Sequence, residues 1–81
     1  MTPDVWADFN QVDGEGHVVA YLEDVVHAER VVVGNVVVVA DPEAAPHTAV
    51  VVTMSPSGTF ALDVDWASRP TAAATGSTAR I

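Results

Sequence analysis

The stretch "VVVGNVVVVADPEAAPHTAVVV", Val31 to Val52, decides the fold, and ten of its 22 residues are valine. Read without interruption, it resembles a membrane span or an aggregation-prone segment. It is interrupted, however. Asp41, Pro42, Glu43 and Pro46 divide it into two strands, Val36–Asp41 and Thr48–Met54, joined by the loop "PEAAPH". Proline fixes φ and removes a backbone donor, so two prolines within five positions mark a break in regular structure. The apolar run Val36–Ala40 falls far short of the roughly 20 residues a membrane helix needs. Valine is stiff at χ1 and packs well on a pleated surface, so both halves read as strands.

Three more strands are expected around this pair. On the C-terminal side, "SPSG" is a turn signal, and "TFALDVDW", Thr59–Trp66, alternates cleanly. Phe60, Leu62, Val64 and Trp66 point inward; Ala61, Asp63 and Asp65 point outward. On the N-terminal side lie "DVWADFN", Asp4–Asn10, and "HVVAYLE", His17–Glu23, separated by "QVDGEG" with Asp13-Gly14 as a hairpin signal. In the first, Val5, Ala7 and Phe9 share a face opposite Trp6 and Asp8. In the second, Val18, Ala20 and Leu22 share a face opposite Val19 and Tyr21. The linker "DVVHAERVVVGN" has room for a short helical turn capped by Asp24, but is too β-branched for a longer helix.

Five short strands linked mainly by tight turns predict an all-β fold: a small five-stranded antiparallel barrel. Closing the sheet removes valine-rich edges that would otherwise recruit other chains. A domain of this size is marginal alone, so self-association into a homo-oligomer is a natural supplement. The barrel is expected over residues 1–66. Residues 67–81, "ASRPTAAATGSTARI", hold no aromatic residue and a single large aliphatic, Ile81. Such a composition predicts a flexible tail, or an arm that orders against a partner.

Residues 31–66 resemble the core of the Tudor/KOW group of SH3-like barrels. Gly34 precedes a strand led by Val36, Ala49 and Val51 open the next strand, Gly58 forms a turn, and Leu62 and Val64 sit on a last alternating strand. The resemblance implies an SH3-like barrel that acts by binding. Tudor domains hold methylated lysine or arginine in a cage of aromatic rings, since ring faces attract cations. Here "PEAAPHT", where a cage ring belongs, has no aromatic residue. KOW-type domains commonly contact RNA, which the charge of this chain opposes.

Eleven acids face three arginines, there is no lysine, and the formal net charge is −8. All eleven acids lie between Asp4 and Asp65, where Arg30 is the one base, giving +1 − 11 = −10 for that segment. Such a field repels phosphate backbones, so no direct nucleic-acid binding is expected. The acidity reads either as a solubility device for a valine-rich surface or as a face for a basic partner. Abundant Val, Ala and Asp without lysine fit a bacterial or phage genome of high GC content. There is no cysteine, hence no disulfide framework or thiolate metal site. No signal peptide is expected from "MTPD", and the default location is cytoplasmic, or the virion if the chain is phage-encoded.

Catalytic and metal motifs are absent. His17, His27 and His47 are spaced by ten and twenty residues, which matches no ligand pattern. "QVDGEG" offers Asp13 and Glu15, short of the oxygens calcium wants. Asp63 and Asp65 share a strand face about 7 Å apart, an arrangement more typical of a solvated surface than of a carboxylate pair. No nucleophile elbow, phosphate loop or His–Glu zinc motif occurs. A non-enzymatic chain without cofactors or metals is expected.

The expected partner-binding residues are Trp6, Asp8, Val19, Tyr21, Asp63 and Asp65. If Val5 and Phe9 face inward, a hairpin across "QVDGEG" brings Trp6, Val19 and Tyr21 into one exposed patch beside Asp8. The other register puts Trp6 in the core; both stay open on sequence. The leading expectation is an acidic protein-interaction or assembly module. Two others stand beside it: a viral or mobile-element decoration or connector protein, and an acidic inhibitor such as an immunity protein, antitoxin or DNA mimic.

Overall fold

The two valine strands of the opening stretch form the centre of the sheet. In the computed structural model, which describes residues 2–69, they are β3 (Val36–Asp41) and β4 (Ala44–Met54). The others are β1 (Val5–Trp6), β2 (Val18–Tyr21) and β5 (Thr59–Asp65). The sheet order is β1-β3-β4-β5-β2. It curls into a half-barrel compatible with an SH3-like fold, with no α-helix among the described residues. Accordingly, no helix there is long and apolar enough to cross a membrane.

The core follows from the period-2 pattern. Val5, Val18, Ala20, Val37, Val39, Ala49, Val51, Phe60, Leu62 and Val64 are buried in one cluster. Fully burying a Val, Leu or Phe side chain contributes roughly 1.5–3 kcal/mol, so this row dominates the stability of the sheet. Ala7 and Phe9 pack on it from the loop after β1. That arrangement leaves Trp6 on the outside and resolves the register that the sequence left open.

Several expectations are corrected. The sheet is mixed, because β1 pairs β3 in parallel, with Val5 opposite Val39 and Trp6 opposite Ala40. β1 and β2 therefore form no hairpin; β2 pairs β5 instead. β1 has two residues rather than seven, since the chain leaves β3 after Trp6, with a last bond from Ala7 N–H to Ala40 O at 2.8 Å. Leu22 is exposed, because it starts a 3-10 turn, Leu22–Asp24, that leaves the strand line. Asp24 ends that turn and does not cap it. Ala61 is buried instead of outward: β5 has a neighbour on each side, and Val19 and Thr53 flank the small Ala61 methyl. Trp66 lies beyond β5 and is 48% exposed rather than in the core.

β4 starts four residues earlier than expected and runs through Pro46. Val39 faces His47 and Asp41 faces Ala44, so Ala45 and Pro46 together oppose Ala40. A bulge tolerates proline because no ladder donor is required there. β5 pairs β4 only from Thr48 onward, so Pro46 also faces no strand on that side.

Two loops close the half-barrel. The backbone bridge Val5–Val25 lays the segment after β2 along the free edge of β1. Asp4, buried at 3% exposure, holds this closure. Its N–H donates to Val38 O at 2.8 Å, and its carbonyl accepts Val26 N–H at 2.8 Å. Its carboxylate accepts Val38 N–H at 2.8 Å and His27 Nδ1–H at 2.8 Å, with the Arg30 guanidinium 3.6 Å away. At the other end Gly34, at φ +94°, makes the turn into β3 and donates to Val51 O at 2.8 Å.

The chain continues onto the barrel past Trp66. The Ser68 hydroxyl accepts Thr48 N–H at 2.8 Å and donates to Asp65 O at 2.6 Å. Buried His47 donates Nδ1–H to Ser68 O at 3.0 Å. Phe9, His47 and Trp66 form a ring cluster with centroids 5.2–5.7 Å apart. The expected flexible tail lies, from residue 70 onward, outside the described residues.

Candidate functional site

Parallel pairing of β1 with β3 sets Trp6 beside the turn that links β3 to β4. The Val5–Val25 bridge draws the end of β2 to the same place. Between them opens a cleft of about 460 Å³ lined by Trp6, Tyr21, Asp8, Asp24, Asp41 and Glu43, among others. No basic residue lines it. Trp6 is 40% exposed and Tyr21 38%, so both rings meet solvent on one side and protein on the other.

The carboxylates differ in their freedom. Asp41 Oδ2 accepts Phe9 N–H at 3.0 Å, and Oδ1 accepts Glu43 N–H at 2.7 Å. Phe9 N–H foremost, then Glu43 N–H, holds the Asp41 carboxyl below its usual value, because both bonds favour the charged form. Asp41 is thus a fixed anionic wall. Asp8 Oδ1 accepts Asn10 N–H at 2.9 Å, which orders the loop after β1. Asp24 and Glu43 accept no side-chain hydrogen bond from the described residues and are free to meet a ligand. Four carboxylates and two aromatic side chains line this cleft; acids attract a cation by coulombic force and ring faces by their quadrupole.

A second, smaller cavity of about 250 Å³ adjoins the first. Pro3, Trp6, Ala40, Pro42, Ala44 and Pro46 line it. Trp6, Asp41 and Pro42 are walls of both.

Of the six residues expected from sequence, the fold brings Trp6, Asp8 and Tyr21 to the cleft. They meet by barrel closure and not through a hairpin. Val19 is half-buried opposite Ala61 and does not line it. Asp63 and Asp65 are exposed on β5, opposite Val50 and Thr48, and do not line it either. Asp24, Asp41 and Glu43 are additions. Asp41-Pro42-Glu43 is visible in sequence as a turn, but nothing local says that the turn stands beside Trp6.

The histidines occupy three separate surroundings. His17 lies 3.8 Å from Asp13 and 3.8 Å from Glu15 in a loop. His27 is tied to Asp4 and His47 to Ser68. No group of three or more His, Asp and Glu able to hold a metal ion occurs among the described residues.

No known protein family, curated protein or solved structure matches the chain.

Proposed function

We propose that the protein is a non-catalytic interaction module whose Trp6–Tyr21 cleft takes a basic segment of a partner protein. The observation that carries this reading is the lining of the cleft: two half-exposed aromatic side chains and four carboxylates, with no base among them. The chain-wide charge of −8 extends the attraction beyond contact range and speeds encounter with a basic partner. The Tudor/KOW likeness of residues 31–66 supports a binding module as the class. Placement in that group is proposed on this likeness alone. The cleft differs from a ring-only cage in relying on carboxylates, which suits an unmodified cation.

NMR mapping with a short glycine–serine peptide bearing one arginine tests the reading. Peptide-induced shifts confined to Trp6, Tyr21, Asp24 and Glu43 support it. Shifts scattered over the surface, or none, oppose it.

A second reading, self-association, has its own observation. Val36 and Val50 face each other across β3 and β4 and are 65% and 38% exposed, with exposed Val32 and Val33 in the turn before them. Exposed aliphatic rows of this kind suit contact between copies. Light scattering that reports a dimer for the wild type and a monomer for Val36→Lys supports it, and a wild-type monomer removes it.

A further inference from the structure

The two cavities share Trp6, Asp41 and Pro42, yet their remaining linings differ in chemistry. Beyond the shared walls, one is lined mainly by acids, amides and Tyr21. The other is lined by Pro3, Ala40, Ala44 and Pro46, which carry no side-chain hydrogen-bonding group. From this we infer that the site reads a two-part motif: an arginine in the acidic cleft and a branched aliphatic residue, such as leucine, in the proline-lined cavity, on one extended segment of a partner protein. The inference rests on the cleft reading above and narrows its ligand class.

Arginine is the cation because its planar fork matches carboxylates and its face stacks on aromatic rings, whereas ammonium is a strongly hydrated point charge. Asp41, fixed by Phe9 N–H and Glu43 N–H, stands at the boundary and presents its charge in one place. The spacing follows from strand geometry. Adjacent residues of an extended peptide point to opposite sides, while residues i and i+2 share a side about 7 Å apart. Trp6 lines both cavities, so the motif is set with its two side chains at i and i+2, on one side of the segment. The aliphatic partner is favoured in the second cavity because filling it removes apolar surface from water, and the one carboxylate there, Asp41, already accepts two backbone N–H bonds.

Calorimetry on the full chain with glycine–serine peptides tests the motif: one with Arg-Gly-Leu, one with Arg-Gly-Ser and one with Ser-Gly-Leu. The Arg-Gly-Leu peptide binds about tenfold or more tightly than Arg-Gly-Ser, as burial of a leucine side chain requires. Ala44→Glu blocks the second cavity and adds an acid near the first, so it erases the advantage of leucine without weakening attraction for arginine. If that variant does not fold, amide shifts of wild-type Ala40 and Ala44 give the same answer: Arg-Gly-Leu moves them and Arg-Gly-Ser does not. Equal affinity of the two arginine peptides overturns the two-part motif and leaves the cleft reading standing. Failure of both arginine peptides to bind overturns both.

Discussion

The carboxylate of Asp4 and Nδ1 of His27 stand 2.8 Å apart although 23 residues separate them in sequence. Through this contact the residue just before β1 grips the segment that follows β2. The side chain of Asp4 is 4% exposed and that of His27 is 38%. The two ends of the contact are therefore unequal. Asp4→Ala leaves Val38 N–H and the imidazole without their acceptor and costs about 2–4 kcal/mol, while His27→Ala costs about 1 kcal/mol, because Asp4 keeps its backbone donor. Urea unfolding of both variants measures the difference; equal losses would show that Asp4 is not the hub.

Two turn carboxylates, Asp41 and Asp13, should make stability depend on acid. Asp41 is held below its usual value foremost by Phe9 N–H and then by Glu43 N–H. Asp13 is lowered foremost by His17 N–H, then by Glu15 N–H, with the charge of His17 adding less. A carboxyl whose folded value lies below its unfolded one contributes stability that is complete above the unfolded value. That contribution is lost as pH falls through the folded value, here below about pH 4. Denaturant midpoints between pH 6 and 2 should therefore fall more gently for Asp13→Asn and Asp41→Asn than for the wild type. Parallel acid limbs would mean that these bonds do not favour the charged form.

Ser68 fastens the chain beyond β5 to β4 through Thr48 and His47. Ser68→Ala removes the acceptor of Thr48 N–H and costs about 1 kcal/mol, a fall in melting temperature of about 4–8 °C for a domain this small. Trp66→Ala removes two ring contacts, to Phe9 and His47, and costs about 1–3 kcal/mol despite the exposure of Trp66. Thermal melts followed by circular dichroism report both. A chain cut after Trp66 that melts like the wild type would show that residues 67–69 add nothing to the barrel.

The turn into β3 depends on Gly34, at φ +94°. No atom lies within 4 Å of where a Cβ would sit, so the penalty for Gly34→Ala is conformational and not steric crowding. It is about 1–2 kcal/mol. Gly34→Ala with unchanged stability would mean that the turn adopts another conformation.

The central strands are legible in sequence because their burial repeats with period 2: Val37 and Val39, Ala49 and Val51, Phe60, Leu62 and Val64. What is illegible is what long-range pairing decides. Nothing near Val5 shows that it will pair in parallel with Val39 rather than form a hairpin with β2. Pro46 looks like a loop residue until the bulge opposite Ala40 makes room for it. Asp4 reads as the polar start of a strand, and its burial appears only once Val38, His27 and Arg30 surround it. For the site, Trp6, Asp8 and Tyr21 are legible from alternation. Asp24, Asp41 and Glu43 are not, since their place beside Trp6 depends on closure of the barrel.

The most direct test of the cleft as a receptor for a basic segment is calorimetric titration of the full chain with the single-arginine peptide. It is run at low and high salt on wild type, Trp6→Ala and Asp24→Asn. Binding should weaken steeply with salt, and each substitution should lower affinity by about tenfold or more, as loss of a ring or of an unpaired carboxylate from a cation site requires. Affinity that ignores salt and survives both substitutions would contradict the account.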